Sequence, residues 1–423
     1  MIAVSQTFLD SIGKPIMLDL RGTITTSTET ISWNKANIVR NSFSISDKCV
    51  KGNTFCLGAV NYASLNCVLY LQGVSAYSLV GQTISVEYGC NGEYIQLGVF
   101  EIVKASTTGK QTISITASTQ LARVNVKDDK QSLPATWLSD GQPYSILQQL
   151  CTHAGITLAN TQPEIEALPN GTITIGLQDS CTISSTSELL SYVATILGGF
   201  VTSDRYTGGV KISTFKTTPC YTVPLRTIYR NTLHTAGFKV NMICVLANFY
   251  ENGAWSSYAA AGKNRESAND VTIDFSDNPF LDTYYRNNNK NLETIIDRER
   301  EVGDATIVVP YNPFELSMAG NPALELGDCI NIELQDGTYL TTVISYSEFN
   351  FRRKHTLKCL GEDTRTVGGL GVTDTLRLEE HVNQRINAIS RTPLMKKSEY
   401  EALGNDYQKG VLYCLYDDDE VST

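Results

Sequence analysis

The chain has 423 residues, 42% hydrophobic and 18% charged, with a net charge of −10 and a pI near 5.1. That length allows two to four domains with sizeable cores, and the acidic balance without clustered Lys and Arg excludes tight binding to a phosphate backbone. Gly, Ser, Thr and Asn favour strands and turns over a helical bundle, and no run nears 18 apolar residues, so no membrane-spanning helix is expected.

Residues 1–120 read as strand after strand. Segments 24–31, 42–46, 65–71, 83–88, 95–103 and 112–117 alternate or are short and apolar, with turns such as Lys51-Gly52-Asn53 and Thr108-Gly109-Lys110 between them. The pattern then changes. Ile146, Leu147 and Leu150 share one helical face over 144–154, stopped by Gly155; Leu189, Leu190, Val193 and Ile196 do the same over 187–197, stopped by Gly198-Gly199. Strands are expected at 172–177, 200–204 and 210–214. From about 225 the β character returns, with strands at 239–250 and 271–275. A short polar helix is expected over 287–301, with Leu292, Ile295 and Ile296 inward.

Thr366-Val367-Gly368-Gly369-Leu370-Gly371 has the composition of a flexible linker. Beyond it, Leu378, Val382, Ile386 and Ile389 predict a short amphipathic helix, which either joins copies of the chain or packs on its own domain. A small helix and strand are expected over 398–416, followed by a solvated acidic tail. The triplet Arg352-Arg353-Lys354 reads as a charged edge or turn. The fold class expected is mainly β with an α+β insertion. Two similar antiparallel β-barrel or sandwich domains (1–125 and 225–365) flank a small α+β domain (138–218), and a linker, helix and small module occupy 366–423.

Two distant stretches share one design. Leu79-Val80-Gly81-Gln82 leads into the strand 83–88, and Asn321-Pro322-Ala323-Leu324-Glu325-Leu326-Gly327-Asp328 leads into 329–334. Each continues through a Gly-containing turn to a second strand and then a third, at 111–117 and 355–360. Aligning Gly81 with Gly327 at the start and Ile113 with Leu357 in the last strand gives the later copy a loop shorter by two. Gly81, Asn321, Pro322, Gly327 and Asp328 are thus signature turns of a repeated module rather than ligand sites. A chain with two similar modules can build a ring with twice as many modules as subunits.

No motif for chemistry stands out. Eleven cysteines are scattered without C-x-x-C spacing, which favours a reducing compartment over a disulfide framework or a zinc site. Four histidines are dispersed, and Cys151-Thr152-His153 puts two side chains on different helix faces. Gly73-Val74-Ser75-Ala76-Tyr77 misses the last glycine of a nucleophile elbow, and Gly262-Lys263-Asn264 lacks the rest of a phosphate-binding loop. No catalytic residue, metal or cofactor is expected, and the start of the chain lacks the basic and apolar stretches of a signal peptide.

The run Phe43-Ser44-Ile45, Gly52, Phe55-Cys56-Leu57-Gly58, Ala63-Ser64-Leu65, Gly81-Gln82-Thr83-Ile84 and Leu97-Gly98-Val99-Phe100 resembles the first domain of bacteriophage tail hub and tail-tip proteins. The helix-Gly-strand units at 140–215 are similar to that family's middle domain. Asn278-Pro279-Phe280 with the 320–328 stretch is similar to its second barrel. The resemblance covers about residues 1–365. It implies a structural homotrimer forming a pseudo-sixfold ring, with subunit contacts above about 2,000 Å². Such a ring joins the hexameric tail tube or distal tail protein to tip, spike or fibre proteins. It sits at the virion tail tip or baseplate, is assembled in the host cytoplasm, and lets DNA pass without specific binding.

Carboxylates facing the channel would let DNA slide. Glu87, Glu93, Glu101, Glu333 and Asp336 are the candidates, with solvent outside the ring as the other place for them. The roughly 58 residues after 365 are too few for a cell-wall-cleaving domain. A receptor- or carbohydrate-binding tip protein without a ring role is the alternative; it would use the 21 tyrosines, although the three tryptophans are dispersed.

Overall fold

Alternating strands dominate the N-terminal third, and they assemble by edge pairing into one long sheet that also takes in strands from the far end of the chain. The computed structural model describes residues 1–12, 14, 18–52, 55–125, 141–177, 185–233, 242–251, 254–260, 270–274, 278–280, 309–351, 354–360, 394–396 and 414–416.

Helix α1 (Gln6–Ser11) opens the chain, with the Ser5 hydroxyl accepting the Phe8 N–H as its cap. Strands β1 (Leu18–Thr25) and β2 (Thr30–Asn34) follow. The segment 24–31 is therefore a hairpin and not one strand. The Thr26 hydroxyl accepts the Glu29 N–H and folds the chain back between the two strands. Next come β3 (Ser44–Lys48), β4 (Ser64–Tyr70), α2 (Ala76–Leu79), β5 (Thr83–Cys90), β6 (Glu93–Gly109) and β7 (Thr112–Ser118).

Helix α3 (Pro143–His153) buries Ile146, Leu147 and Leu150 as expected. The short α4 (Gln162–Glu166) starts with a capping box between Thr161 and Glu164. Helix α5 (Thr186–Ile196) is buried nearly all round and ends at Gly198, whose φ of 67° only glycine adopts easily. The hairpin β8 (Phe200–Ser203) and β9 (Val210–Ser213) completes this unit. The strand expected at 172–177 does not form. Ile173, Ile175 and Leu177 are buried, but the ladder beside them is a single bridge between Ile175 and Gly141 among the described residues.

The remaining strands are β10 (Pro219–Val223), β11 (Ile228–Leu233), β12 (Met242–Glu251), β13 (Ala254–Ala260), β14 (Asp270–Asp274), β15 (Phe314–Met318), β16 (Cys329–Glu333), β17 (Tyr339–Val343), β18 (Tyr346–Asn350) and β19 (His355–Cys359). Eleven strands form one sheet in the order β11-β15-β19-β18-β3-β4-β7-β6-β5-β1-β2. Smaller sheets are β10-β16-β17, β13-β12-β14 and β8-β9. The fold is mainly β with a few helices, as the composition implies. One core spans the long sheet: Leu20, Ile24, Leu65, Ile84, Phe100 and Ile115 cluster with Phe349 and Phe351 from its distant half.

Residues 372–423 form a second unit, in which β20 (Leu394–Lys396) and β21 (Cys414–Tyr416) pair in parallel. The helices expected over 287–301 and on Leu378, Val382, Ile386 and Ile389 lie outside the described residues, as does the 398–413 part of the C-terminal segment.

Candidate functional site: a repeated strand module and its join

The turns that open the two modules match hydrogen bond for hydrogen bond. Gly81 and Gly327 have φ of 80° and 79°. The Gly81 N–H donates to the Ile102 carbonyl and Gly327 to that of Ile344, both at 2.8 Å. Ile102 returns a bond to Gln82 (2.9 Å) and Ile344 to Asp328 (3.0 Å); Gln82 donates to Leu79 and Asp328 to Glu325.

The ladders extend the match. Thr83 opposite Glu101 corresponds to Cys329 opposite Val343, and Val86 opposite Gly98 to Ile332 opposite Leu340. Long β6 pairs with β5 through its first half and with β7 through its second. In the later copy those halves are separate strands: β17 pairs with β16, and β18 with β19. Ala105 opposite Ile115 corresponds to Ser347 opposite Leu357, and Thr107 opposite Ile113 to Phe349 opposite His355. One change of spacing, at the first hairpin, therefore serves both the second and third strands. Ile113 corresponds to His355, not to Leu357, and that hairpin is shorter by four in the later copy rather than by two.

Two more strands join the match. β4 pairs with β7 as β15 pairs with β19, so Leu65 corresponds to Phe314 and Leu69 to Met318. β3 pairs with β4 as β11 pairs with β15, so Ile45 corresponds to Leu233. Corresponding inward positions are buried in both copies: Leu65 and Phe314, Leu69 and Met318, Ile84 and Ile330, Val86 and Ile332, Ile102 and Ile344. The match therefore takes in β3 to β7 of the earlier copy and β11 with β15 to β19 of the later, where β17 and β18 together stand for β6. The match ends at the outer flank, where β5 takes β1 antiparallel and β16 takes β10 parallel.

The copies join edge to edge. β18 of the later copy pairs antiparallel with β3 of the earlier one, from Tyr346 opposite Lys48 to Asn350 opposite Ser44. Cys49 N–H continues the ladder to the Ser345 carbonyl at 2.9 Å. Phe351 lies edge-on to Phe43 (6.5 Å between ring centroids) and Phe349 edge-on to Tyr88 (5.5 Å), so the join is packed as well as hydrogen-bonded.

Polar groups cluster under this join. Burial pushes the Asp47 carboxyl up to about 7, against the Lys48 N–H, the Arg205 charge and the Thr202 hydroxyl, which pull it down. Burial takes His355 down to about 3, so it stays neutral, with Nε2 2.8 Å from the Ser347 hydroxyl. In the earlier copy those two positions are the apolar pair Ile113 and Ala105. A cavity of about 300 Å³ opens here, bounded by Asp47, Arg205, His355, Ser347 and Lys216.

The signature stretch is a junction. Asn321 is fully buried, and its side-chain carbonyl accepts the Ala323 N–H. Arg205 donates to the Pro322 and Leu324 carbonyls. Asp328, fully buried, accepts from Lys216 Nζ (2.7 Å), the Glu325 N–H (2.8 Å) and the Met1 amine. Lys216 N–H donates to the Gly327 carbonyl at 2.8 Å. These turns bind the middle unit to the later module.

The candidate carboxylates each have a local partner. Glu87 accepts from Arg21 Nε at 2.6 Å, and Glu101 takes a two-pronged bond from Arg123. Glu93 accepts the Ser5 N–H, Glu333 the Leu225 N–H, and Asp336 both the Thr338 N–H and hydroxyl. Each following the matched pair Val86 and Ile332, Glu87 and Glu333 occupy one position in the two copies. The sequence reading missed Asp47, Arg205, Ser347 and His355 as a group. A histidine inside an apolar strand was the available signal, but nothing local shows which edge that strand meets.

Among the described residues no group of His, Cys, Asp and Glu is arranged to hold a metal ion, and no helix is long and apolar enough to cross a membrane. Cys49, Cys56, Cys67, Cys90, Cys151, Cys329 and Cys359 are buried free thiols, and Cys220 is a half-buried one.

No protein-family model matches the chain, and no curated protein does. Among solved structures it is similar to the 43 kDa tail protein of prophage MuSo2 from Shewanella oneidensis, at 13% identity and a TM-score of 0.46, over 81% of this chain and 96% of that one. It is also similar to a tail protein from Neisseria meningitidis (12%, TM-score 0.47, over 81% and 97%). A third is prophage tail protein gp18 from Listeria monocytogenes (11%, TM-score 0.49, over 87% and 99%). The functional reading below rests on the register of the chain's own strands.

Proposed function

We propose that this chain is a structural hub of a phage or phage-derived tail tip or baseplate, without enzymatic activity. Three copies form a ring of six similar modules that joins the hexameric tail tube to the tip around a DNA channel. One observation carries this reading: two modules with matching strand register, already joined edge to edge within one chain. A duplicated module that meets its own copy through unlike edges is a head-to-tail contact, and such contacts close into rings when the rotation allows.

Glu87 and Glu333 support the channel reading. As one position in two copies, they would recur six times around a trimer, giving duplex DNA, with a charge about every 1.7 Å, no cationic ring to grip. Electron microscopy of the purified protein tests the proposal. Rings of three chains with six similar lobes and an open centre are expected; a neutral or basic ring interior would remove the channel role of the carboxylates. Single-chain particles that bind glycans would overturn the hub in favour of a receptor-binding tip protein.

A further inference from the structure

Within one chain, the join uses two particular edges: β18 of the later module and β3 of the earlier. Each has a counterpart in the other module. The counterpart of β18 is the second half of β6, and the counterpart of β3 is β11. Among the described residues neither counterpart has a neighbour on its outer side. β11 ends the eleven-stranded sheet, and β6 beyond Ile102 is paired with β7 alone. Both are exposed, and each carries a large apolar side chain in solvent: Val103 is 61% exposed and Tyr229 64%. Unpaired backbone N–H and C=O groups along such edges are a template for another strand.

We propose that these two edges pair with each other between copies of the chain, β6 of one against β11 of the next, reproducing the β18–β3 join. The inference rests on the ring reading and adds its contact and its register. Phe349 lies opposite Ile45 in the intrachain join. Phe349 corresponds to Thr107 and Ile45 to Leu233, so Thr107 of one copy lies directly opposite Leu233 of the next, with the strands antiparallel. The partner is a second copy because its edge is the near-duplicate of one already seated in this geometry. The contact is heterologous, which leaves both edges filled only when the ring closes.

Cysteine cross-linking of the full chain tests this. Directly opposed residues of an antiparallel pair have Cα atoms about 4.5–5.5 Å apart, within the span a disulfide bridges. The test variant is Thr107→Cys/Leu233→Cys, oxidised gently and run on a non-reducing gel beside its mass by light scattering. The expected result is covalent dimers and trimers from the double variant. An equal mixture of the two single variants should stop at dimers, since each contact then offers one bond and no chain carries both thiols. Each single variant alone should stay uncrosslinked, which accounts for the native thiols. Thr107→Cys/Asn231→Cys, shifted two residues along the same strand face, should cross-link far less. A trimer by mass whose Thr107→Cys/Leu233→Cys chains do not cross-link, or cross-link no better than the shifted pair, would overturn this contact and leave the ring standing. A chain that stays monomeric at every concentration tested would overturn both.

Discussion

Gly81 and Gly327 are one position in two copies, with φ of 80° and 79° and the same backbone bond, yet they differ in surroundings. A Cβ built on Gly81 meets nothing within 4 Å. One built on Gly327 meets Phe200 Cζ and the Thr214 carbonyl oxygen, both at 2.9 Å, from the unit that packs on the later module. Alanine at either site carries the left-handed backbone penalty of roughly 1–2 kcal/mol. At Gly327 an overpacking cost of about 1–3 kcal/mol is added, because one of the crowding atoms is backbone. Gly327→Ala should therefore lose about 2–5 kcal/mol and Gly81→Ala about 1–2 kcal/mol. Urea unfolding of the two variants beside the parent reads the difference. A loss for Gly81→Ala equal to or larger than that for Gly327→Ala would refute the seating of the middle unit on the later turn.

Asp47 holds its proton in the folded chain up to about pH 7, well above the ordinary carboxylate range. Its contribution to stability is thus fully present below about pH 4, falls as pH rises toward 7, and is flat above. Asp47→Asn should flatten that part of the urea-midpoint profile, and a profile that keeps the parent's slope from pH 4 to 7 would contradict the assignment. Asp328→Ala strands the Glu325 N–H and removes the partner of Lys216. It should lose about 2–4 kcal/mol, whereas Glu87→Gln, on an exposed pair with Arg21, should change stability by less than about 1 kcal/mol. Urea midpoints check both, and an equal loss from the two would contradict the buried role of Asp328.

Much of the fold was legible because its signals are local. Alternation placed β4, β5, β7 and the first part of β6, and the spacing of Ile146, Leu147 and Leu150 placed α3. The Gly-Gln and Gly-Asp turns revealed the repeat, since the left-handed backbone at Gly81 and Gly327 makes glycine stand out at both. What failed was nonlocal or too short. Segment 24–31 read as one strand because Thr and Ser suit a strand as well as a turn. Segment 172–177 alternates correctly, but among the described residues its ladder is a single bridge to Gly141. The third strand was misaligned by two because Ile113 matches Leu357 in chemistry, while the ladder pairs it with His355. The join of β18 to β3 brings Tyr346–Asn350 against Ser44–Lys48, from nearly opposite ends of the chain, and only the assembled sheet shows it.

The mass of the assembled particle tests the ring most directly. Size exclusion with light scattering on the purified full chain should give three times the 46.5 kDa of a single chain. A stable species of one chain, or of two related by like-to-like contact, would contradict a ring built from two modules per subunit.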